Sequence, residues 1–116
     1  MTGNDIFKRC LALLGYTQAE SEAVSCKALL NRMPEIIASI CFDLKITPVF
    51  DLEGEITAND TQLDALCCGC TMLLALSEGE GGKHRLFTEL YNARRAAALS
   101  EISTVKDCLP VTDGGL

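Results

Sequence analysis

The stretch LDALCCGCTMLLAL, Leu63 to Leu76, sets Cys67 and Cys70 one helical turn apart with a third thiol, Cys68, between them. That spacing belongs to two kinds of chemistry. A Cys-x-x-Cys pair is a redox couple when its first thiol opens a helix after a strand, because the helix dipole stabilises the thiolate. Two such pairs, or one pair with close histidines, make a tetrahedral zinc site. Both contexts are missing here. Leucines on either side place Cys67 well inside a helix, no second Cys-x-x-Cys exists, and His84 is the only histidine. An apolar surrounding raises a thiol pKa and leaves the group inert. Cys67 and Cys70 are therefore expected as small buried side chains, with no metal and no cofactor.

Other candidate chemistry is weaker. Glu20, Glu22, Asp43, Asp51, Glu53 and Glu55 have no histidine or second carboxylate at ligand spacing on one helix, and read as a solvated face. The glycines of SEGEGGKH superficially resemble a phosphate loop, but Glu78 and Glu80 would repel a phosphate and no strand precedes them. Lys83, His84, Arg85, Arg94 and Arg95 form a locally basic run without interleaved aromatics, which reads as a solvated helix face pairing with acids. An enzyme is the least supported class.

The chain of 116 residues, 48% hydrophobic, has room for one compact domain. Its net charge of −6 gains nothing from the field of nucleic acid or an anionic membrane. No apolar run is long enough for a membrane span. MTGNDIFKRC lacks the pattern of a secretory signal, so folding in the cytoplasm is expected. Seven cysteines, set within helical patterns, argue against a disulfide framework and for reduced thiols.

Periods of three and four residues predict an all-α bundle of about four helices. The first runs from about Asn4 to Gly15, capped by Thr2 or Asn4, with Ile6, Cys10, Leu13 and Leu14 on one face. The second covers about Thr17 to Lys45, with a kink or short break expected near Asn31 to Met33 because Pro34 removes a backbone hydrogen bond. ITPVFDLEGEITAND reads as a connecting loop. The third helix starts near Asn59, Asp60 or Thr61, with Thr61-x-x-Asp64 resembling a capping box, and continues to about Ser77. The fourth spans about Lys83 to Ser100 and carries Phe87, Leu90 and Tyr91 along one side. Residues 1–102 form the helical domain, and 103–116 a non-helical flexible tail with a short strand drawn over Thr104 to Leu109. Leu63, Leu66, Cys67, Cys70, Leu73 and Leu74 share one face of the third helix, and its flanks, Leu76 among them, are apolar too. So apolar a helix in so small a bundle predicts some burial between subunits.

The order of these phrases resembles the small head–tail connector, or adaptor, proteins of tailed bacteriophages and prophages. In that family a short helix ending in an LxLLGY-like phrase leads to a long helix and an acidic loop. An ALxxGxxxLLAL helix, an acidic turn, an FxxLYNxA helix and a tail with VxDxLP follow. The matching pieces are Leu11 to Tyr16, Asp64 to Leu76, Glu78 to Glu80, Phe87 to Ala93 and Val105 to Pro110. The departure is the cysteine cluster, where the family more usually carries alanine, tyrosine or other apolar residues.

The resemblance implies a non-enzymatic protein of the virion neck, made in the bacterial cytoplasm and assembling as a ring of about a dozen copies. Its partners would be the portal protein and a head-closure or neck protein, with DNA only passing through the lumen. On this reading Leu63, Leu66, Cys67, Cys70, Leu73, Leu74, Leu76, Phe87, Leu90 and Tyr91 carry subunit contacts. Val105, Asp107, Leu109 and Pro110 dock the tail on a partner. The alternatives are a thiol-rich metal-binding or redox module, and a helical regulator or assembly chaperone.

Overall fold

Helix α1, Gly3–Leu14, is defined at both ends by its own residues. Thr2 caps it: its hydroxyl accepts from the Asp5 amide at 3.3 Å, and the Asp5 carboxylate accepts from the Thr2 amide at 3.0 Å. Those hydrogen bonds from Thr2 hold the Asp5 carboxyl below its usual range. At the other end Gly15 takes φ 91°, a left-handed conformation that costs glycine little, and its amide bonds back into the last turn. Ile6, Phe7, Cys10, Leu11 and Leu14 are buried, whereas Leu13, expected with them, stands exposed. The fold is described from a computed structural model, covering residues 1–17 and 24–107, with side chains over 1–17 and 27–100.

Helix α2, Val24–Leu44, is continuous through Pro34, so of the kink or short break expected near Asn31 to Met33 the break does not occur. Proline inside a helix costs about 3 kcal/mol. Met33, Ile37, Ile40, Cys41 and Leu44 are each at most 5% exposed. At roughly 1.5–3 kcal/mol for each large apolar side chain buried, that stripe outweighs one lost hydrogen bond. The helix ends at Lys45 with φ 60°, and the Ile46 amide closes onto the Cys41 carbonyl at 2.9 Å.

Helix α3, Asp60–Ser77, is capped by Asn59, whose side chain accepts from the Gln62 amide at 2.8 Å while Gln62 Oε1 accepts from the Asn59 amide at 3.0 Å. The reciprocal box is thus Asn59 with Gln62, not Thr61 with Asp64. Asp64 is drawn instead to the guanidinium groups of Arg94 at 2.9 Å and Arg9 at 3.8 Å. An Asn59→Ala variant is expected to lose about 1 kcal/mol, read as a lower urea midpoint with unchanged slope.

After the turn Glu78–Glu80, helix α4 runs Gly81–Asp107. It lies antiparallel to α3, since His84 meets the Met72 carbonyl near one end while Arg94 meets Asp64 near the other. The helix passes Ser100 and includes Ser103–Asp107, where the sequence pattern predicted a non-helical tail and a short strand. Val105 and Asp107 therefore belong to a helix; Leu109 and Pro110 lie outside the described residues. Uninterrupted helix formers across the alanine-rich Ala93–Ser100 segment allow this continuation once α3 anchors the preceding turns.

The long connection 46–58 folds back over the N-terminus. The Asn4 amide donates to the Leu52 carbonyl and the Ile56 amide to the Met1 carbonyl, each at 2.9 Å, while Ile46 and Ile56 enter the core. Among the described residues this makes only one isolated bridge, Thr2 with Glu55, and no strand. Helix α3 is the centre of the molecule: α1, α2 and α4 all pack on it, and every residue from Ala65 to Thr71 is buried.

Candidate functional site

The burial of α3 decides where its thiols go. Cys10 reaches across from α1 so that its Sγ lies 3.7 Å from the Cys67 carbonyl oxygen. Burial, and then Cys10, pushes the Cys70 thiol well above its usual range. The Cys10 S–H thus donates to the Cys67 carbonyl. Thr71, the one buried polar side chain among the described residues, sends its hydroxyl to that same carbonyl at 2.7 Å. The polar atoms of this dry region are thereby satisfied by one another.

Burial pushes the Cys41 thiol up to about 11 and, with Cys10 nearby, the Cys67 thiol up to about 12. Cys68 rises in the same direction, chiefly by burial. Thiols of that kind carry almost no thiolate near neutrality. Cys41 and Cys67 are accordingly expected to resist iodoacetamide at pH 8 in the folded protein and to react fully in denaturant, as peptide mass mapping would read. Among the described residues no group of three or more His, Cys, Asp or Glu is placed to hold a metal ion. Cys10, Cys41, Cys67, Cys68 and Cys70 are free thiols.

A second polar cluster ties α2 to α4. The Tyr91 hydroxyl donates to Asp43 Oδ2, and Arg95 Nε donates to the same oxygen at 2.8 Å. The Tyr91 hydrogen bond, reinforced by Arg95, holds the Asp43 carboxyl below its usual range. Burial, then the same carboxylate, pushes the Tyr91 hydroxyl up. A depressed carboxyl stabilises the fold above its unfolded pKa of about 3.9, and that contribution is lost as pH falls through the lower folded value. The raised phenol contributes below its unfolded pKa of about 10 and loses that contribution as pH rises beyond it. An Asp43→Asn variant should flatten the acid limb of the urea midpoint plotted against pH. Parallel acid limbs in the variant and the parent would sink this assignment.

The basic residues of α4 have structural duties. Arg94 and Arg95 meet Asp64 and Asp43, and Lys83 Nζ donates to the Leu14 carbonyl at 2.8 Å, closing the end of α1. Tyr16 donates to Glu78 at 3.0 Å on the same end of the bundle. For Arg94 and Arg95 this agrees with the sequence reading of a face that pairs with acids, whereas Lys83 and His84 meet backbone carbonyls.

The residues assigned to subunit contacts divide. Leu66, Cys67, Cys70, Leu74, Phe87 and Tyr91 are buried within the chain's own core. Leu63, Leu73 and Leu90 are partly buried against it, and Leu76 is exposed. The expectation that α3 needs a second subunit to cover it is thus met from inside: three helices and the folded-back connection suffice. Among the residues whose side chains are described, the large apolar groups left outside are Leu13, Phe42, Phe50, Leu76 and Leu86. Phe42, 64% exposed, and Phe50, 69% exposed, flank an open groove of about 460 Å³ with Pro34, Glu35, Ala38 and Ser39.

Sequence reasoning passed over this groove. Phe42 falls outside the stripe of Met33, Ile37, Cys41 and Leu44, which was a usable signal; Phe50 lies in a loop, where periodicity says nothing. No helix among the described residues is long and apolar enough to cross a membrane. No protein-family model matches the chain, and no curated protein or solved structure is significantly similar to it.

Proposed function

We propose that this chain is a structural adaptor, a head–tail connector of a tailed bacteriophage or prophage that assembles as a ring on the portal and joins head to neck. The observation that carries the reading is a set of large apolar side chains left outside a core that is already complete. Phe42 and Phe50 stand beside a groove on the outer side of α2, with Leu76 and Leu86 close to the α3–α4 turn. Exposed phenylalanines of this kind mark protein contacts. The order of helices, acidic connections and phrases that resembles the connector family supports the same reading. It assigns the chain no reaction, places the protein in the virion neck and leaves DNA as a passenger in the lumen.

The test is binding to the portal protein of the phage or prophage that carries the gene, followed by light scattering and negative-stain microscopy. Addition of portal should give a ring-bearing complex. Phe42→Ser with Phe50→Ser should abolish it while leaving the unfolding midpoint within about 0.5 kcal/mol of the parent, as expected for exposed positions. Failure to bind portal at micromolar concentrations, or full binding by the double variant, would overturn the assignment of that surface.

A further inference from the structure

The adaptor reading covers the groove on the outer side of α2 only once portal is present, and until then Phe42 and Phe50 face water. We propose that in the free chain a second copy fills this groove: two α2 helices pair antiparallel about a two-fold axis, with Phe42 of each laid into the groove of the other. The pairing needs no portal, so it stands or falls apart from the adaptor reading.

The groove supplies both halves of such a contact. Between Glu35 and Phe42 it is lined by Ala38 and Ser39, side chains small enough to let a second helix approach closely. Phe42 stands one turn further along the same lining. A helix face that carries a large side chain one turn from a hollow is complementary to itself when the second helix runs the opposite way. Each Phe42 then reaches the Ala38 and Ser39 of the other copy, and the contact closes with both hollows filled. Two parallel helices would seat one Phe42 and leave the other groove open.

That seating fixes the register. With Phe42 opposite Ala38, the axis passes at the level of Ile40, and equal steps outward set Glu35 opposite Lys45. Glu35 lines the groove and Lys45 follows the last residue of the helix. Both are exposed, and among the described residues neither has a charged partner within its own chain. The two-fold axis makes this ion pair twice, once at each end of the contact. The same steps set Asp43 opposite Ile37 and carry Arg32 past the end of the other helix, so no like charges oppose each other along the pair. Asp43 is in any case held by Tyr91 and Arg95 of its own chain. One groove cannot hold a second copy and portal together, so the pair is the form of the free chain and portal binding opens it.

The isolated full chain, with dithiothreitol and without portal, is followed by sedimentation velocity over a concentration series. The mass should rise from one chain to two with a midpoint on the order of 10–100 µM, as suits a contact below the standard interface size. Phe42→Ser should weaken pairing about tenfold or more. Glu35→Lys and Lys45→Glu should each weaken it about tenfold, because each sets like charges together twice. Combined in one chain, the two exchanges should restore the parent's midpoint. A single chain at ten times the upper end of that range, growth past two chains, or a doubly exchanged chain that pairs no more tightly than either single variant overturns the proposal. The first two results are read on the parent protein, so they stand even where a variant folds poorly.

Discussion

Replacing Gly69 will destabilise this protein even though glycine is a poor helix former. A Cβ built at Gly69 lies 2.8 Å from Ile40 Cγ2 and 2.8 Å from Tyr91 Cε1, closer than real Cβ atoms approach. Here α2, α3 and α4 come together. The Tyr91 ring cannot swing away freely, because its hydroxyl is held by Asp43 and its body is buried. Alanine gains about 1 kcal/mol of helix propensity and loses roughly 1–3 kcal/mol to overpacking, for a net loss on the order of 1 kcal/mol. Gly69→Leu, with three more carbons to place, should lose about 3 kcal/mol or more. Denaturant unfolding of both variants gives the answer. Pairing Gly69→Ala with Ile40→Ala should cost less than the sum of the two single changes, since one relieves the other. A Gly69→Ala protein more stable than the parent would mean that propensity wins and that the three helices do not meet here.

Leu66→Ala is expected to lose about 2–5 kcal/mol, the cost of a cavity in a core that collapses only partly. Against a total stability of roughly 5–15 kcal/mol, that is enough to bring the chain near unfolding. Leu66 is wholly buried at the middle of α3, among α1, α2 and α4. Leu76→Ser, ten residues along the same helix and 58% exposed, should change stability by no more than about 0.5 kcal/mol. The two variants separate core from contact surface. If Leu66→Ala kept the parent's unfolding midpoint, the leucine would be dispensable to the monomer, and its assignment to a subunit interface would regain its ground.

Most of the secondary structure was legible in the residues themselves. Thr2, Gly15 and the run of periodic apolar positions mark helices through local geometry, and local geometry depends only on neighbours in sequence. The errors occurred where two local rules competed. Pro34 argued for a kink or a short break, and the buried stripe from Met33 to Leu44 kept the helix unbroken. Thr61 and Asp64 had the spacing of a capping box, but Arg94, thirty residues on, offered Asp64 a better partner, and Asn59 with Gln62 took the cap. Ser103–Asp107 read as tail because no apolar period marks them, yet a helix already anchored along α3 extends at little cost.

The sequence by itself determined an all-α chain, Cys67 and Cys70 as small side chains of a helix interior, and the pairing of Arg94 and Arg95 with acids. These follow from residue type and spacing, which set hydrogen bonding and amphipathicity within one element. Which sides of each helix are covered was decided only by the tertiary structure. The same apolar α3 could have faced a partner subunit or its own chain. The choice fell to its own chain because α1, α2, α4 and the connection carrying Ile46 and Ile56 close around Ala65–Thr71, leaving Phe42 and Phe50 uncovered on the far side of α2. Contacts between segments far apart in sequence make that choice, as where Cys10 of α1 meets the Cys67 carbonyl of α3. No periodicity within one helix records which neighbour its side chains will meet.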